Sequence, residues 1–279
     1  MSDWRFPVQV TTLCRYPVKS MLGETVQSIA VDEQGAEGDR RLALVDVATG
    51  RVATAKHPRL WRGLLQFAAS GGPGRVRIQL PGGGTVAADE QGIDELLSGL
   101  LGRPVHLASE RAPGAEVERP APEDVLEHGV EAEVEYATLE ISQGTPGTSF
   151  VDYAPLHLIT TATLERIGAE AERYRPNLVV TTPAGYPAWA ENEWVGRELR
   201  IGGVDGHGGI RVRGSLPTPR CAVPTLEHGP LPRAPHAVRT PMAENRVDVP
   251  GFGVLPCAGV YLEVLSGGTI HTGDQVTLN

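Results

Sequence analysis

Short apolar segments bounded by Gly, Pro and polar turns dominate the first third of the chain. Several of them alternate apolar and polar residues, the pattern of a strand with one buried face. Short strands at this spacing are typical of a barrel or a sandwich. The strands predicted here lie at 8–13, 26–31, 41–46, 51–54, 64–68, 76–80 and 85–87.

The apolar spacing then changes to that of a helix. Leucines and one isoleucine recur at helical spacing over 93–101, and Gly102 is placed to end the helix. The next segment, 111–135, is rich in Pro, Ala and Glu with weak periodicity, so we expect an irregular connection there. A boundary near this segment divides the chain into domains 1–110 and 111–279.

The second part mixes strands with one clear helix. Leu164 and Ile167 share the apolar face of this helix, and Thr161 or Thr163 is placed to cap it. A Pro-, His- and Arg-rich segment, 226–247, is predicted to be an irregular lid or edge. The strands predicted in this part lie at 136–141, 156–160, 178–182, 198–201, 210–213, 260–264 and 275–278. The fold class is therefore mainly β with some α, an α+β protein.

Net charge and cysteine content exclude several classes of function. The net charge of −9 disfavours nucleic acid or an anionic membrane as the main partner. No apolar run is long enough to span a bilayer, and the start of the chain lacks a secretory pattern, so we expect a soluble cytoplasmic protein. Three widely spaced cysteines encode neither a disulfide framework nor an iron–sulfur cluster.

Candidate chemistry centres on Cys221, which lies beside Arg220 and among three prolines in 217–225. Proline favours a stiff loop here, and the neighbouring Arg favours the thiolate, the form that binds soft metals or attacks electrophiles. The alternative is a buried, inert cysteine beside a surface Arg. Other basic and polar residues at strand–loop junctions would suit a phosphorylated ligand: Lys19, Ser20, Arg40, Arg175 and Asn177.

Five stretches, in the same order along the chain, resemble the molybdenum-cofactor sulfurase C-terminal (MOSC) proteins. Thr54-Ala-Lys-His-Pro-Arg-Leu60 and Leu156-His-Leu-Ile-Thr160 also resemble family segments. The five stretches are Tyr16-Pro-Val-Lys-Ser20, Gly38-Asp-Arg40, Arg175-Pro-Asn177, Pro219-Arg-Cys221 and Gly268-Thr-Ile-His-Thr-Gly-Asp274. The resemblance covers essentially the whole chain. It implies an N-terminal β-barrel domain followed by a β-barrel-like MOSC domain, as in the amidoxime-reducing components and their bacterial relatives.

This resemblance implies a molybdopterin cofactor, the molybdenum cofactor, whose metal is ligated by Cys221. It further implies that the cofactor is held in one cleft between the two domains. The implied cofactor-binding residues are Lys19, Ser20, Arg40, Thr160 in place of a serine, Arg175, Asn177 and Arg220. Two departures from the family pattern are Pro219, where the amidoxime reducers commonly have Ser, and Arg41-Leu42, where they have Phe and Trp.

The leading hypothesis is a molybdenum-dependent reductase of N-hydroxylated or N-oxide compounds. Because the sequence has no nicotinamide, flavin or ferredoxin motif, electrons are expected from a separate ferredoxin- or flavodoxin-like protein. One alternative is a sulfur-transfer or biosynthetic protein that uses Cys221 as a covalent carrier. Another is a carrier of the cofactor that turns over no substrate. The remaining cysteines, Cys14 and Cys257, are expected to be core residues.

Overall fold

A computed structural model of the protein describes residues 8–203 and 208–278, so the start of the chain, 1–7, lies outside the described residues. Nineteen strands form most of the regular secondary structure of the described residues. They are β1 Val8–Arg15, β2 Glu24–Val26, β3 Ser28–Asp32, β4 Gly35–Ala36, β5 Ala43–Asp46, β6 Ala68–Ser70, β7 Arg77–Gln79, β8 Thr85–Ala87, β9 Val105–Ala108, β10 Glu116–Pro120, β11 Tyr136–Glu140, β12 Leu156–Thr160, β13 Leu178–Thr181, β14 Glu198–Ile201, β15 Ile210–Pro219, β16 Arg246–Val249, β17 Gly253–Ser266, β18 Gly268–His271 and β19 Gln275–Leu278.

Helices are few and short, which confirms the fold class as mainly β with some α. The α-helices are α1 Pro58–Trp61, α2 Ile93–Leu101, α3 Pro122–His128, α4 Thr161–Ile167 and α5 His236–Glu244. Four 3-10 helices lie at Arg62–Gln66, Ala171–Arg173, Ala190–Trp194 and Val223–Thr225.

Seven strands close into a barrel in the order β1, β19, β14, β15, β17, β12 and β13, with β13 returning to β1. All neighbours are antiparallel except β12 and β13, which are parallel and are joined through α4, as a parallel pair requires. Aliphatic side chains such as Val10, Leu158, Val180 and Val212 fill the interior. The first described strand therefore belongs to the same barrel as strands from the last half of the chain.

Residues between β1 and β10 form a second hydrophobic core. It lies among the sheets β5–β9 and β6–β7–β8 and is covered by α2, whose Leu97 is fully buried. The helix α2 begins and ends where its leucine spacing predicts, and Gly102 adopts a left-handed φ of 68° at its C-cap. A third sheet, β18–β3–β4, ties this part to the end of the chain.

Two predicted strands in the first part are wrong. Residues 64–68 mostly form a 3-10 helix instead, because Leu64 and Leu65 are both fully buried and so do not alternate between two faces. Residues 51–54 form only an isolated bridge, Val45 to Val52.

The two segments predicted to be irregular contain regular elements. In 111–135, β10 pairs with β11, and α3 follows with a proline at its first turn and Glu123 and Asp124 near its positive end. In 226–247, α5 packs on the barrel strand β17. The helix α3 has only seven residues, too few for apolar spacing to recur, and α5 contains Pro241, which disfavours the prediction of a helix.

Candidate functional site

A cleft lies between the first part of the chain and the mouth of the barrel. It brings together seven of the eight predicted site residues: Lys19, Ser20, Arg40, Arg175, Asn177, Arg220 and Cys221. These residues come from the segments before β5, before β13 and after β15, so folding gathers groups that are far apart in sequence. The eighth residue, Thr160, is not among those that line the cleft.

Thr160 is instead the N-cap of α4. Its hydroxyl accepts a hydrogen bond from the backbone N–H of Thr163 at 3.2 Å and donates one to Glu191 Oε2 at 3.0 Å. This also corrects the predicted cap, which was placed at Thr161 or Thr163. A fully buried hydroxyl with both roles filled stabilises the helix start and is not free to bind a ligand.

Cys221 is half-buried and follows the end of β15. The strand runs to Pro219, so the prediction of a loop over 217–219 is wrong. Pro217 and Pro219 pair with β17, whereas β14 pairs with β15 only as far as Arg213. Beyond that residue β14 no longer needs N–H donors from β15, which is why prolines are tolerated there.

Lys19, Lys56 and Asp152 form an ion cluster in the cleft. Lys19 Nζ donates to Asp152 Oδ1 at 2.6 Å and to the carbonyl of Phe150 at 2.7 Å. Lys56 Nζ lies 2.9 Å from the same Asp152 oxygen. Burial lowers the pKa of Lys19 to about 8, although Asp152 opposes this. Burial alone would raise the pKa of Asp152, but the two lysines hold it well below its usual range.

Arg40 and Arg175 stack on Tyr16, their guanidinium carbons lying 4.7 and 4.4 Å from the ring centre. Arg40 pairs with Asp39 at 2.5 Å and donates to the carbonyl of Arg175 at 2.9 Å. Arg175 Nη1 donates to the carbonyl of Met21 at 2.5 Å, but its buried Nη2 has no partner among the described residues. Burial and then the charge of Arg40 lower the pKa of Arg175 to about 10.

Three cleft residues have left-handed backbones: Ser20, Arg40 and Arg175, with φ of 65°, 46° and 54°. This conformation is uncommon for residues other than Gly and is strained. Ser20 also accepts a hydrogen bond from the backbone N–H of Ala55 at 3.1 Å, which fixes its hydroxyl. Strain concentrated around a single cleft is typical of a functional site.

Arg220 does not present its charge to the cleft as an open cation. Its Nε donates to the carbonyl of Ala258 at 2.9 Å, its Nη1 to that of Tyr174 at 3.3 Å, and its Nη2 to His157 Nε2 at 2.6 Å. Burial, together with the charges of Arg220 and Arg40, holds the pKa of His157 well below its usual range, so the neutral ring accepts this bond. Arg220 therefore anchors the backbone beside Cys221.

Asn177 has a similar anchoring role. Its Oδ1 accepts from the backbone N–H of His157 at 3.1 Å, and its Nδ2 donates to the carbonyl of Cys14 at 3.4 Å. These bonds tie β12 and β1 to the turn that carries Arg175. Asn177 lines the cleft, and its side chain already has a donor and an acceptor partner within the protein.

Three further cleft residues were missed by the sequence analysis: Lys56, Asp152 and Thr218. The buried Oγ1 of Thr218 has no partner among the described residues. Lys56 and Thr218 lie inside stretches that the sequence analysis singled out, so their positions held a signal. Asp152 stands in a segment without a motif, and only the fold places it against the lysines.

Cys221 is the only cysteine that lines the cleft in the part of the chain that is described. Burial raises the pKa of Cys257 to about 12 and also raises the pKa of Cys14. Within 8–203 and 208–278, no three His, Cys, Asp or Glu side chains cluster closely enough to hold a metal by themselves. No helix in the same ranges is long and apolar enough to cross a membrane.

The fold and the cleft define a β-barrel protein whose cleft is lined by several cationic side chains and one cysteine. A profile of the MOSC N-terminal beta barrel domain matches residues 8–99, and a profile of the MOSC domain matches residues 147–277. The chain therefore belongs to the MOSC domain proteins and carries the N-terminal β-barrel domain. MOSC domains are associated with molybdenum cofactor binding or with sulfurase-like function.

Individual proteins are more distant. The chain is similar to the crystal structure of the YuaD protein from Bacillus subtilis, at 11% identity and a TM-score of 0.44, covering 98% of this chain and 96% of that chain. It is also similar to YiiM from Geobacillus stearothermophilus, at 18% identity and a TM-score of 0.30, covering 45% of this chain and 54% of that chain. No curated protein matches the chain significantly.

Proposed function

We propose that this protein is a molybdenum-cofactor-dependent oxidoreductase that reduces N-hydroxylated or N-oxide compounds. One observation carries the proposal: a half-exposed cysteine shares its cleft with buried cations and with unpartnered polar atoms of Arg175 and Thr218. Buried polar groups are nearly always hydrogen-bonded, so atoms without a protein partner in a cleft favour a polar ligand.

The donor set suits an anionic, hydrogen-bonding cofactor. A phosphate group would find the ammonium groups of Lys19 and Lys56 and the free Nη2 of Arg175, which are point-charge and fork donors. Thr218 Oγ1 can donate to or accept from a pterin edge. Cys221 supplies one soft metal ligand, and the other ligands would come from the cofactor itself.

When bound, the cofactor supplies a metal that changes oxidation state as oxygen is taken from nitrogen. The protein's own residues bind and orient. Arg220 fixes the backbone at Cys221 through three acceptors, which limits movement of the thiolate. Tyr153, Phe252 and Leu216 line the cleft with apolar surface, which excludes water from part of it.

Electron supply is assigned to a separate ferredoxin- or flavodoxin-like protein. The described residues contain three cysteines, fewer than a cysteine-ligated cluster needs. A transient partner of this kind forms a small interface. Docking at the open side of the cleft would bring its redox group close to the cofactor.

A second candidate is sulfur transfer with Cys221 as the covalent carrier. Its support is the same half-exposed thiol, which is the only one in the cleft within the described residues. A carrier would accept a persulfide sulfur and deliver it without needing a loaded metal.

An anaerobic assay separates these candidates. Molybdenum-replete protein is given reduced methyl viologen and either benzamidoxime or hydroxylamine, and Cys221→Ser is compared with Cys14→Ser as the matched control. We expect turnover by the wild type and by Cys14→Ser. Cys221→Ser should lose turnover while its thermal unfolding stays that of the wild type. Equal turnover by Cys221→Ser would refute the metal-ligand role. No turnover by the replete wild type would favour sulfur transfer or a carrier of the cofactor.

A further inference from the structure

One carboxylate oxygen lies between two lysine ammonium groups in the cleft. Asp152 Oδ1 lies 2.6 Å from Lys19 Nζ and 2.9 Å from Lys56 Nζ. The two lysines come from the first part of the chain, whereas Asp152 precedes β12. A single oxygen thus bridges two ammonium groups across the cleft.

The burial of the three groups is unequal. The side chain of Lys19 is 4% exposed and that of Lys56 is 13% exposed, whereas that of Asp152 is 37% exposed. Two ammonium groups facing one oxygen would repel each other without an anion between them. Lys19 is fixed further by the carbonyl of Phe150. Asp152 is therefore the member of the cluster with the most exposed side chain, and Lys19 is the member with the most partners.

We propose that an anion binds between the ammonium groups of Lys19 and Lys56, a position called here the anion seat. Asp152 is an internal competitor that occupies the anion seat and must leave before a phosphate group of the ligand can bind. The inference rests on the proposed function, since it concerns the cofactor's phosphate. It assigns Lys56 to the anion seat and gives Asp152 an autoinhibitory role.

This competition sets which anions are retained. The need to displace Asp152 lowers the affinity of every anion by the same factor, because the same two ion pairs must break each time. Simple anions therefore bind only weakly. A ligand that also contacts Arg175 Nη2 and Thr218 Oγ1 gains enough binding free energy to displace the carboxylate. Selectivity comes from contacts beyond the seat.

The test measures anion binding without activity. Full-length protein from a host that cannot make the pterin is titrated calorimetrically with sulfate, a dianion that mimics phosphate, and with methyl sulfate, a monoanion. A pH of about 6.5 lies below the pKa of Lys19 in the wild type, which is about 8. Because Asp152 raises that pKa, the titrations of the Asp152 variants are repeated at a pH of about 5.5. Asp152→Asn removes the competing charge at equal size, and Asp152→Ser is a second variant in case the first does not fold. Glu140→Gln is the matched control, because Glu140 lines the same cleft but makes no contact with the lysines.

We expect Asp152→Asn to bind both anions at least about tenfold more tightly than the wild type, since the two ion pairs of Asp152 no longer have to be broken. The affinity of Glu140→Gln for both anions should stay within about twofold of the wild-type affinity, because this variant removes only a charge that is distant from the lysines. Unchanged affinity in both Asp152 variants would overturn the proposal. A much larger gain for sulfate than for methyl sulfate would also overturn it, because that pattern indicates repulsion by a stationary carboxylate. Failure of the proposed function is seen separately, as molybdenum absent from protein made in a cofactor-producing host, while protein from the pterin-deficient host still binds sulfate.

Discussion

Replacement of Arg220 by Met tests whether this residue is an anchor of the Cys221 loop. Its guanidinium donates to three buried acceptors, the carbonyls of Ala258 and Tyr174 and the Nε2 of His157. Methionine fills similar volume but donates no hydrogen bond. The variant therefore leaves three acceptors without donors inside the protein.

The expected cost follows from these three acceptors. A buried polar group left unsatisfied costs about 1–3 kcal/mol, so three acceptors together cost roughly 3–5 kcal/mol when some relaxation is allowed. Loss of stacking on Tyr174, 5.3 Å from the guanidinium carbon, adds a smaller amount. A loss of this size exceeds that of most single substitutions.

Urea unfolding monitored by circular dichroism gives the free energy of unfolding of the wild type and of Arg220→Met. Arg211→Met is the matched control from the same region, because Arg211 is 56% exposed and only pairs with Glu198 at 3.7 Å. The control should lose about 0–1 kcal/mol. A loss below about 1 kcal/mol in Arg220→Met would refute the anchoring role.

Three further predictions follow from the same structure. Because Cys257 is fully buried, Cys257→Ala should lower the free energy of unfolding by about 1 kcal/mol and leave turnover per folded molecule unchanged. Loss of turnover would contradict a core role. Burial raises the pKa of Glu191, so above the ordinary Glu range the folded state keeps a proton that the unfolded state has lost. The free energy of unfolding should therefore fall as the pH rises above that range. In urea unfolding measured across pH, Glu191→Gln should remove this fall. Replete protein should turn over benzamidoxime with reduced methyl viologen but not with NADH alone, and robust NADH turnover would reveal a redox group not assigned here.

Much of the fold is predictable because several elements carry a local pattern. The leucine spacing of α2 predicts its bounds, and the apolar runs at β12 and β13 mark strands that are buried on both faces. The helices α3 and α5 are not predictable, because α3 has only seven residues and α5, which packs on β17, contains Pro241. The assignment of residues 1–110 and 111–279 to separate domains stays a prediction, and β1 nevertheless completes the barrel.

The site, like the fold, is predictable where the sequence carries a local pattern and not where it depends on remote contacts. Lys19, Arg40, Arg175 and Cys221 lie in stretches whose composition is distinctive, and the fold places them in one cleft. What each side chain does there depends on partners remote in sequence. Arg220 is directed inward by a carbonyl on β17, a contact that no local pattern encodes.

The most direct test of the central claim is the molybdenum and pterin content of purified protein from a cofactor-producing host supplied with molybdate. Mass spectrometry gives the metal, and fluorescence of the oxidised pterin gives the organic part. The account predicts molybdenum and pterin in equal amounts in the wild type, and loss of both in Arg175→Met, which lacks the free guanidinium donor. Wild-type protein that contains neither, while a known molybdenum enzyme from the same cells is loaded, would contradict the claim.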